Sequence, residues 1–232
     1  MDKRQTMVEV NKIFKNIFGI ECPYSLEEIL NKFAFDVRLP KKVHDSTTGE
    51  ITWTQSINSS KYIKQDNMEN YDVKYGWFQP KREVNNLNDI LKLWKRINYT
   101  TTERIYDSIN VSESDPIYRS ENVYRSTDLR NCKNVIYSDG LGDCESILAS
   151  QRTASSSFCI RVDDSANCTN SYNVICSNKI SNSFFIQDAN NLNECMFCSH
   201  MSNKRFCIAN MQFEKKEYFA IKAEIIKWIL SN

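Results

Sequence analysis

Glycine, proline and histidine are scarce in this chain, with 5, 4 and 2 residues among 232. Because glycine and proline make many tight turns, the turns here must be made largely by asparagine, aspartate and serine. The two histidines, His44 and His200, offer little for histidine-based catalysis, and the sequence lacks a glycine-rich phosphate loop followed by lysine. No grouping of nucleophile, base and oxyanion donors is visible. We therefore predict that the protein is not an enzyme.

Long apolar runs and an excess of one charge are also lacking. No stretch reaches the roughly 18 apolar residues of a membrane-spanning helix, and the start, MDKRQTMVEVNKIF, lacks the apolar core of a signal peptide. Thirty basic and 29 acidic side chains give a formal net charge of +1, so no global field favours nucleic acid or an anionic membrane. We expect a protein that is not secreted by a signal peptide and does not bind membranes, and whose nine cysteines are mostly reduced.

The second half of the chain carries a gapless twelve-residue repeat. Successive units from Asn131 read NCKNVIYSDGLG, DCESILASQRTA and SSSFCIRVDDSA, and an earlier unit from Arg119 fits the same frame. A fixed period with an apolar column is typical of a solenoid, so we expect the sixth positions to stack in one buried column. These positions are Ile136, Leu148, Ile160, Tyr172, Phe184, Met196 and Ile208.

A period of three lies beneath the period of twelve. Every third residue from Cys132 to Met201 is uncharged, and the first charge in this series is Lys204. Seven of the eight cysteines after residue 130 belong to the series, and Cys176 is the exception. Shielding at every third position indicates short strands that each include a corner, which is the geometry of a parallel β-solenoid. One coil then holds either one twelve-residue unit or two.

The predicted fold is mainly β: a parallel β-solenoid with short N-terminal helices and a C-terminal capping helix. We place an N-terminal helical segment at residues 1–40, a mixed insert at 41–116, the solenoid at 117–213 and the capping helix at 214–232. Ser25 followed by Glu28 predicts a capping box at the start of the second helix.

The insert contains one amphipathic helix, predicted at residues 86–98. Its apolar residues recur at helical spacing: Leu87, Ile90, Leu91, Trp94 and Ile97. We expect this apolar face to pack on the core and the basic side chains Lys92, Lys95 and Arg96 to face solvent. Nucleic acid is expected as a partner only if this local basic patch binds it.

A group of possible metal ligands lies near the end of the repeat. Cys195, Cys198, Cys207 and His200 supply the four donors of a tetrahedral zinc site. However, Cys195 and Cys207 share a twelve-residue column with Ser171 and Ser183. A column that accepts both cysteine and serine favours a small buried side chain. We therefore expect no cofactor, with zinc or a disulfide between coils as the alternatives.

The repeat resembles a known family in two stretches, NSYNVICSNKISNSFFIQD and the closing NKRFCIANMQFEKKEYF. Over roughly residues 105–225 it is similar to an uncharacterised Asn/Ser/Cys-rich β-solenoid repeat family of large tailed phages and small-genome bacteria. This resemblance implies a solenoid, a phage-like origin and a location in the host cytoplasm or the virion. It supplies no activity and no catalytic residues.

Three functions remain open from the sequence. The first is a non-enzymatic scaffold that binds other proteins, as a virion or assembly component. The second is an inhibitor that binds and blocks a host defence enzyme such as a CRISPR nuclease, and the third is a small zinc-binding protein. Aromatic residues bring large contact areas to interfaces, so we expect Trp53, Tyr75, Trp77 and Phe78 to contact the partner. Alternatively, these side chains form a small core over the start of the solenoid.

Overall fold

A computed structural model describes residues 1–71, 77–78 and 80–231, without the side chains of 69–71. The chain begins with helices α1 (Lys3–Phe18) and α2 (Leu26–Phe33). Gly19 ends α1 at a φ of 76°, a left-handed conformation that glycine adopts without a steric penalty. The Ser25 side chain accepts from the Glu28 N–H while the Glu28 carboxylate accepts from the Ser25 N–H, which is the predicted capping box.

The insert forms two small sheets and two helices. Its elements are β1 (Lys41–His44), β2 (Ile51–Thr54), β3 (Tyr62–Lys64), α3 (Gln65–Tyr71), α4 (Leu87–Ile97) and β4 (Thr100–Thr102). Strand β1 pairs antiparallel with β2, and β3 pairs parallel with β4. The side-chain oxygens of Thr52 and Thr102 lie 2.7 Å apart, and the Glu103 N–H donates to the Trp53 carbonyl. The Gln55 N–H also donates to the Asp115 carboxylate at 2.9 Å, which attaches the insert to the first coil of the solenoid.

The predicted parallel β-solenoid is confirmed, with about nine coils. Its strands pair in register at intervals of twelve residues, from Ile105 with Ile117 to Met196 with Ile208, so each coil holds one repeat unit. This pairing starts twelve residues before the predicted boundary at residue 117. The strands are β5 (Ile105–Tyr106), β6 (Ile109–Ser112), β7 (Ile117–Tyr118), β8 (Glu121–Tyr124), β9 (Leu129–Arg130), β10 (Lys133–Ile136), β11 (Glu145–Leu148), β12 (Ser157–Asp163), β13 (Thr169–Ile175), β14 (Asn178–Ser181), β15 (Phe184–Gln187), β16 (Asn190–Ser199) and β17 (Ser202–Ile208).

The end of the solenoid differs from its body. The final strand, β18 (Met211–Gln212), turns back to pair antiparallel with β17. Helix α5 (Lys215–Ser231) then crosses the last coils, where the Lys222 ammonium donates to the Glu194 carboxylate at 2.8 Å. Strand β18 thus ends the stack, whereas α5 packs along the side of the last coils.

The corners of the coils are made by residues in the left-handed conformation. From Asp107 to Ala209, every third residue has a φ between 44° and 65°, except Pro116, whose ring fixes φ at a negative value. Asparagine and aspartate tolerate this conformation, but the series also includes bulky residues such as Tyr137 and Phe185. Four such corners close a coil, and each corner points the following residue inward.

The interior of each coil is filled by the period-three series. The inward valine, leucine, isoleucine and cysteine side chains form one continuous buried cluster. Inward serines are buried as well, and their hydroxyls are satisfied by backbone atoms. Ser138 Oγ donates to the Ile136 carbonyl at 3.1 Å and accepts from the Ser150 N–H of the next coil at 3.2 Å. Because both roles are filled, serine can be buried there at little cost.

The sixth-position column is buried, but outside the coil. Ile136, Leu148 and Ile160 are fully buried under helix α1, whereas Tyr172 is half-buried. The Phe18 ring of α1 lies edge-on to Tyr172 at 5.6 Å and 5.9 Å from the Phe184 ring. This face therefore forms a second core together with α1, α2 and α5.

Candidate functional site

The structure brings the three cysteines of the possible zinc site together inside the coil but leaves His200 outside it. Cys195, Cys198 and Cys207 point into the coil and are at most 2% exposed, whereas the His200 side chain is 76% exposed at a corner. The nearest acidic partner of His200 is Asp188, with Nε2 and Oδ2 3.7 Å apart. Within the residues that the structure describes, no group of three or more His, Cys, Asp or Glu side chains is arranged to hold a metal.

The inward cysteines make the same hydrogen bond to the backbone as the inward serines. The Cys132 and Cys159 thiols each donate to the carbonyl two residues earlier at 3.3 Å, as Ser138 Oγ does. A hydrogen bond to Cys198 and burial both raise the pKa of the Cys195 thiol. The same hydrogen bond lowers the pKa of the Cys198 thiol to about 6, because the two thiols titrate as a pair.

Several titratable side chains on the solenoid surface form solvated ion pairs. On one open face Arg152 Nε donates to the Asp164 carboxylate at 2.6 Å, above a shallow depression that also includes Cys176. His44, in contrast, lies in the insert, exposed, with Nδ1 3.1 Å from the Gly49 carbonyl. These arrangements serve charge pairing and loop structure at the surface.

The three predicted aromatic contact residues that the structure describes differ in their exposure. Trp53 is half-buried, with the Arg125 guanidinium 5.2 Å from its ring centroid, and so joins the insert to the solenoid. Trp77 is also half-buried and lies edge-on to Tyr99 at 5.9 Å. Phe78 is 78% exposed, and Tyr75 lies outside the described residues. Of this predicted set, Phe78 is the side chain that the structure places on the surface.

Helix α4 forms at the predicted position, but its orientation differs from the prediction. None of its residues is buried: of the expected core-facing side chains, Leu87, Ile90, Leu91 and Trp94 are 66, 52, 44 and 55% exposed, and Ile97 is half-buried. The prediction that this face packs on the core is therefore wrong. Hydrophobic periodicity shows that a helix has an apolar face, but it does not show what covers that face.

A groove runs between α4 and the extended segment before it. Its walls are Pro80, Arg82 and Val84 on one side and Leu93, Arg96 and Ile97 on the other, around a cavity of 230 Å³. The apolar side chains form most of the lining, and the two guanidinium groups lie beside them. This combination suits an apolar side chain that is flanked by a negative charge.

The basic residues Lys92, Lys95 and Arg96 are exposed on α4, as predicted. Residues 80–98, which we call the basic segment, contain five basic and two acidic side chains. The rest of the chain contains 25 basic and 27 acidic side chains. The small positive charge of the whole protein is therefore concentrated in the basic segment.

A buried carboxylate, that of Asp45, connects several elements of the insert by hydrogen bonds. Asp45 is 1% exposed, and its oxygens accept from the Thr47 N–H at 2.7 Å, the Lys64 N–H at 2.8 Å and the Asn67 amide at 2.9 Å. Burial alone would raise the pKa of Asp45, but these hydrogen bonds outweigh it and hold the pKa well below the usual range. Asp45 thus fixes the loop between β1 and β2 against β3 and α3.

Helices long and apolar enough to cross a bilayer do not occur in the part of the chain that the structure describes. No family model matches the sequence, and comparisons with curated proteins and with solved structures give no significant match.

Proposed function

We propose that the protein is a non-enzymatic scaffold that binds another protein through its insert. The single observation that carries this proposal is the contrast between the two parts of the molecule. The solenoid has satisfied inward serines and one helix-covered face, whereas α4 leaves four large apolar side chains exposed in one stripe. Contiguous exposed apolar side chains mark binding surfaces more often than they mark a free surface.

The rigid solenoid supports this role. Hydrogen bonds between coils and the ladders of inward side chains restrict the motion of the rod, so the insert is presented from a fixed base. A preorganised surface loses less entropy on binding than a flexible one. The solenoid thus contributes to affinity without itself contacting the partner.

The biological setting is inferred from the sequence resemblance. We infer a phage-encoded structural or assembly component of the virion, located in the host cytoplasm or the particle. The structure adds support for the scaffold role and is neutral on the phage origin.

Affinity purification of the tagged protein from its native source tests the proposal. We expect one or a few proteins at a stoichiometric ratio, and copurification with particles if the virion role is correct. Recovery of one host enzyme whose activity the protein blocks would favour the inhibitor instead. Recovery of the protein alone, or turnover of a small molecule by the pure protein, would contradict the scaffold proposal.

A further inference from the structure

We propose that the basic segment binds an acidic amphipathic helix of the partner protein. This inference rests on the proposed scaffold function and specifies its contact surface. The surface consists of the exposed stripe of α4 (Leu87, Ile90, Leu91 and Trp94) and the adjoining groove with Arg82 and Arg96 at its walls.

The spacing of the stripe indicates a helical occupant. Its four side chains lie at positions i, i+3, i+4 and i+7, so they form one ridge along about two turns of α4, roughly 10 Å long. A ridge of this kind packs into a groove between the side chains of a second helix. The second helix then contacts it through apolar side chains at the same i, i+3, i+4 and i+7 spacing. The side chains are 44 to 66% exposed, so this face is accessible to such a helix.

The groove beside the stripe supplies a second element of recognition. Its cavity of 230 Å³ is lined by Pro80, Val84, Leu93 and Ile97 and is large enough for one apolar side chain. Arg82 and Arg96 stand at this cavity, and a guanidinium pairs with a carboxylate through two parallel hydrogen bonds. An occupant with a leucine-type anchor next to glutamate or aspartate matches this arrangement.

Charge distinguishes this occupant from a second copy of the chain. Two copies that met through α4 would bring two segments with five basic and two acidic residues each into contact, and the like charges would repel. A concave cavity walled by residues 80–84 also fits a side chain better than a flat bilayer surface. The observations therefore favour an acidic helix over a second copy or an anionic membrane.

Three synthetic peptides test the proposal directly. Each forms a helix of about four turns with the same leucine face, and its polar face carries glutamate, glutamine or lysine. Fluorescence anisotropy with the full-length protein should show that the glutamate peptide binds at least about tenfold more tightly than the glutamine peptide, and that the lysine peptide does not bind. Equal binding of all three peptides, or no binding of the glutamate peptide, would overturn the proposal.

Two double variants identify the surface. Leu91→Ala with Trp94→Ala should abolish binding of the glutamate peptide, and Arg82→Glu with Arg96→Glu should reverse the preference to the lysine peptide. The matched control, Lys215→Glu with Lys216→Glu, reverses two exposed charges at the start of α5 and should change neither affinity nor preference. Thermal melting checks that each variant is folded. Unchanged peptide preference in a folded Arg82→Glu, Arg96→Glu variant would overturn the assignment.

The same variants also test two other occupants of this surface. They further distinguish an error in the surface from an error in the scaffold function. Sedimentation of the wild type with phosphatidylserine vesicles, lost in the Leu91→Ala, Trp94→Ala variant, would replace the acidic helix by a membrane. A dimer in analytical ultracentrifugation that the same variant abolishes would replace it by a second copy. If the native partner is recovered equally by wild type and the Arg82→Glu, Arg96→Glu variant, the scaffold function stands and this surface is wrong.

Discussion

At the scale of single residues, the polar side chains inside the solenoid are those that can donate to a carbonyl two residues earlier. Serine and cysteine both do so, which explains why they alternate within one twelve-residue column. Serine also accepts the N–H of the residue twelve positions later. The repeated geometry therefore suffices to explain why Cys195 and Cys207 occupy this column.

Substitution of Ser138 tests how much these hydrogen bonds contribute to stability. In Ser138→Ala, the Ser150 N–H loses its acceptor in a fully buried position. We expect a loss of about 1–3 kcal/mol in the free energy of unfolding, as for a buried unsatisfied group, and a smaller loss for Ser138→Cys, which keeps a weak donor and acceptor. Urea unfolding measures both values. The exposed Ser202→Ala is the control, and an equal effect there would contradict the account.

Metal removal tests the cysteine assignment. We expect the purified protein to contain less than one zinc per chain and to keep its melting temperature in the presence of a chelator. A structural zinc site would contribute directly to folding, so its loss would lower the melting temperature. Stoichiometric zinc that disappears in a Cys195→Ser, Cys198→Ser variant would show that the metal reading is correct.

Asp45 makes the stability of the insert depend on pH. Its pKa in the folded protein lies below the value of about 3.9 for an unfolded aspartate, so its stabilising effect is complete above that pH and is lost as the pH falls towards the folded pKa. Asp45→Asn places an amide against the Lys64 and Asn67 donors and should cost about 1–3 kcal/mol at pH 7. Melting curves from pH 3 to 7, followed by tryptophan fluorescence, should show the difference between wild type and variant shrinking below about pH 4. A difference that stays constant with pH would contradict this role.

At the scale of elements, the stability of the rod depends on the helices that cover one face. Helix α1 lies across β10 to β13, and its apolar side chains share a core with the sixth-position column. The seven residues of that column would otherwise form an exposed apolar stripe along seven coils. The N-terminal helices are therefore part of the solenoid's hydrophobic core.

Substitution of Phe14 tests how much the N-terminal helices contribute to the stability of the rod. It is fully buried and its ring meets those of Phe18, Tyr24 and Phe33 edge-on at 5.4 to 6.2 Å. We expect Phe14→Ala to lower the free energy of unfolding by about 3–5 kcal/mol, measured in guanidinium chloride. Val8→Ala on the exposed side of the same helix should change it little. Similar effects of the two substitutions would show that α1 is not a structural part of the rod.

The sequence could predict the solenoid because its inward positions repeat strictly. The uncharged series and the twelve-residue columns identify the interior, because buried positions accept mainly uncharged side chains. The left-handed corners were less visible, since residues such as Tyr137 and Phe185 occupy them beside asparagine and aspartate. A bulky residue adopts this conformation only because the coils above and below hold it in register.

Surfaces between elements were the least predictable. The repeat predicts that the sixth-position column is buried, but its cover by α1 depends on contacts more than a hundred residues apart in sequence, such as that of the Phe18 ring with the Tyr172 ring. The face of α4 was assigned to the core because its periodicity is that of any amphipathic helix. Neither the helix cover of the column nor the exposure of α4 is encoded in local spacing.

At the scale of the whole molecule, the solenoid is a rod of about nine coils, roughly 40 Å long at the usual strand spacing. Strand β18 closes one end by antiparallel pairing, and the β3–β4 sheet of the insert packs at the start of the other. Closed ends oppose the edge-to-edge stacking of rods. The insert and its exposed helix α4 are then the part of the molecule that differs most from this closed surface.

Hydrogen–deuterium exchange with and without the native partner is the most direct test of the central claim. We expect saturation with the partner to slow amide exchange in the basic segment, residues 80–98, while amides of the coils from residue 119 to 209 keep their slow rates. Protection spread over an open face of the solenoid, with unchanged exchange in residues 80–98, would contradict it.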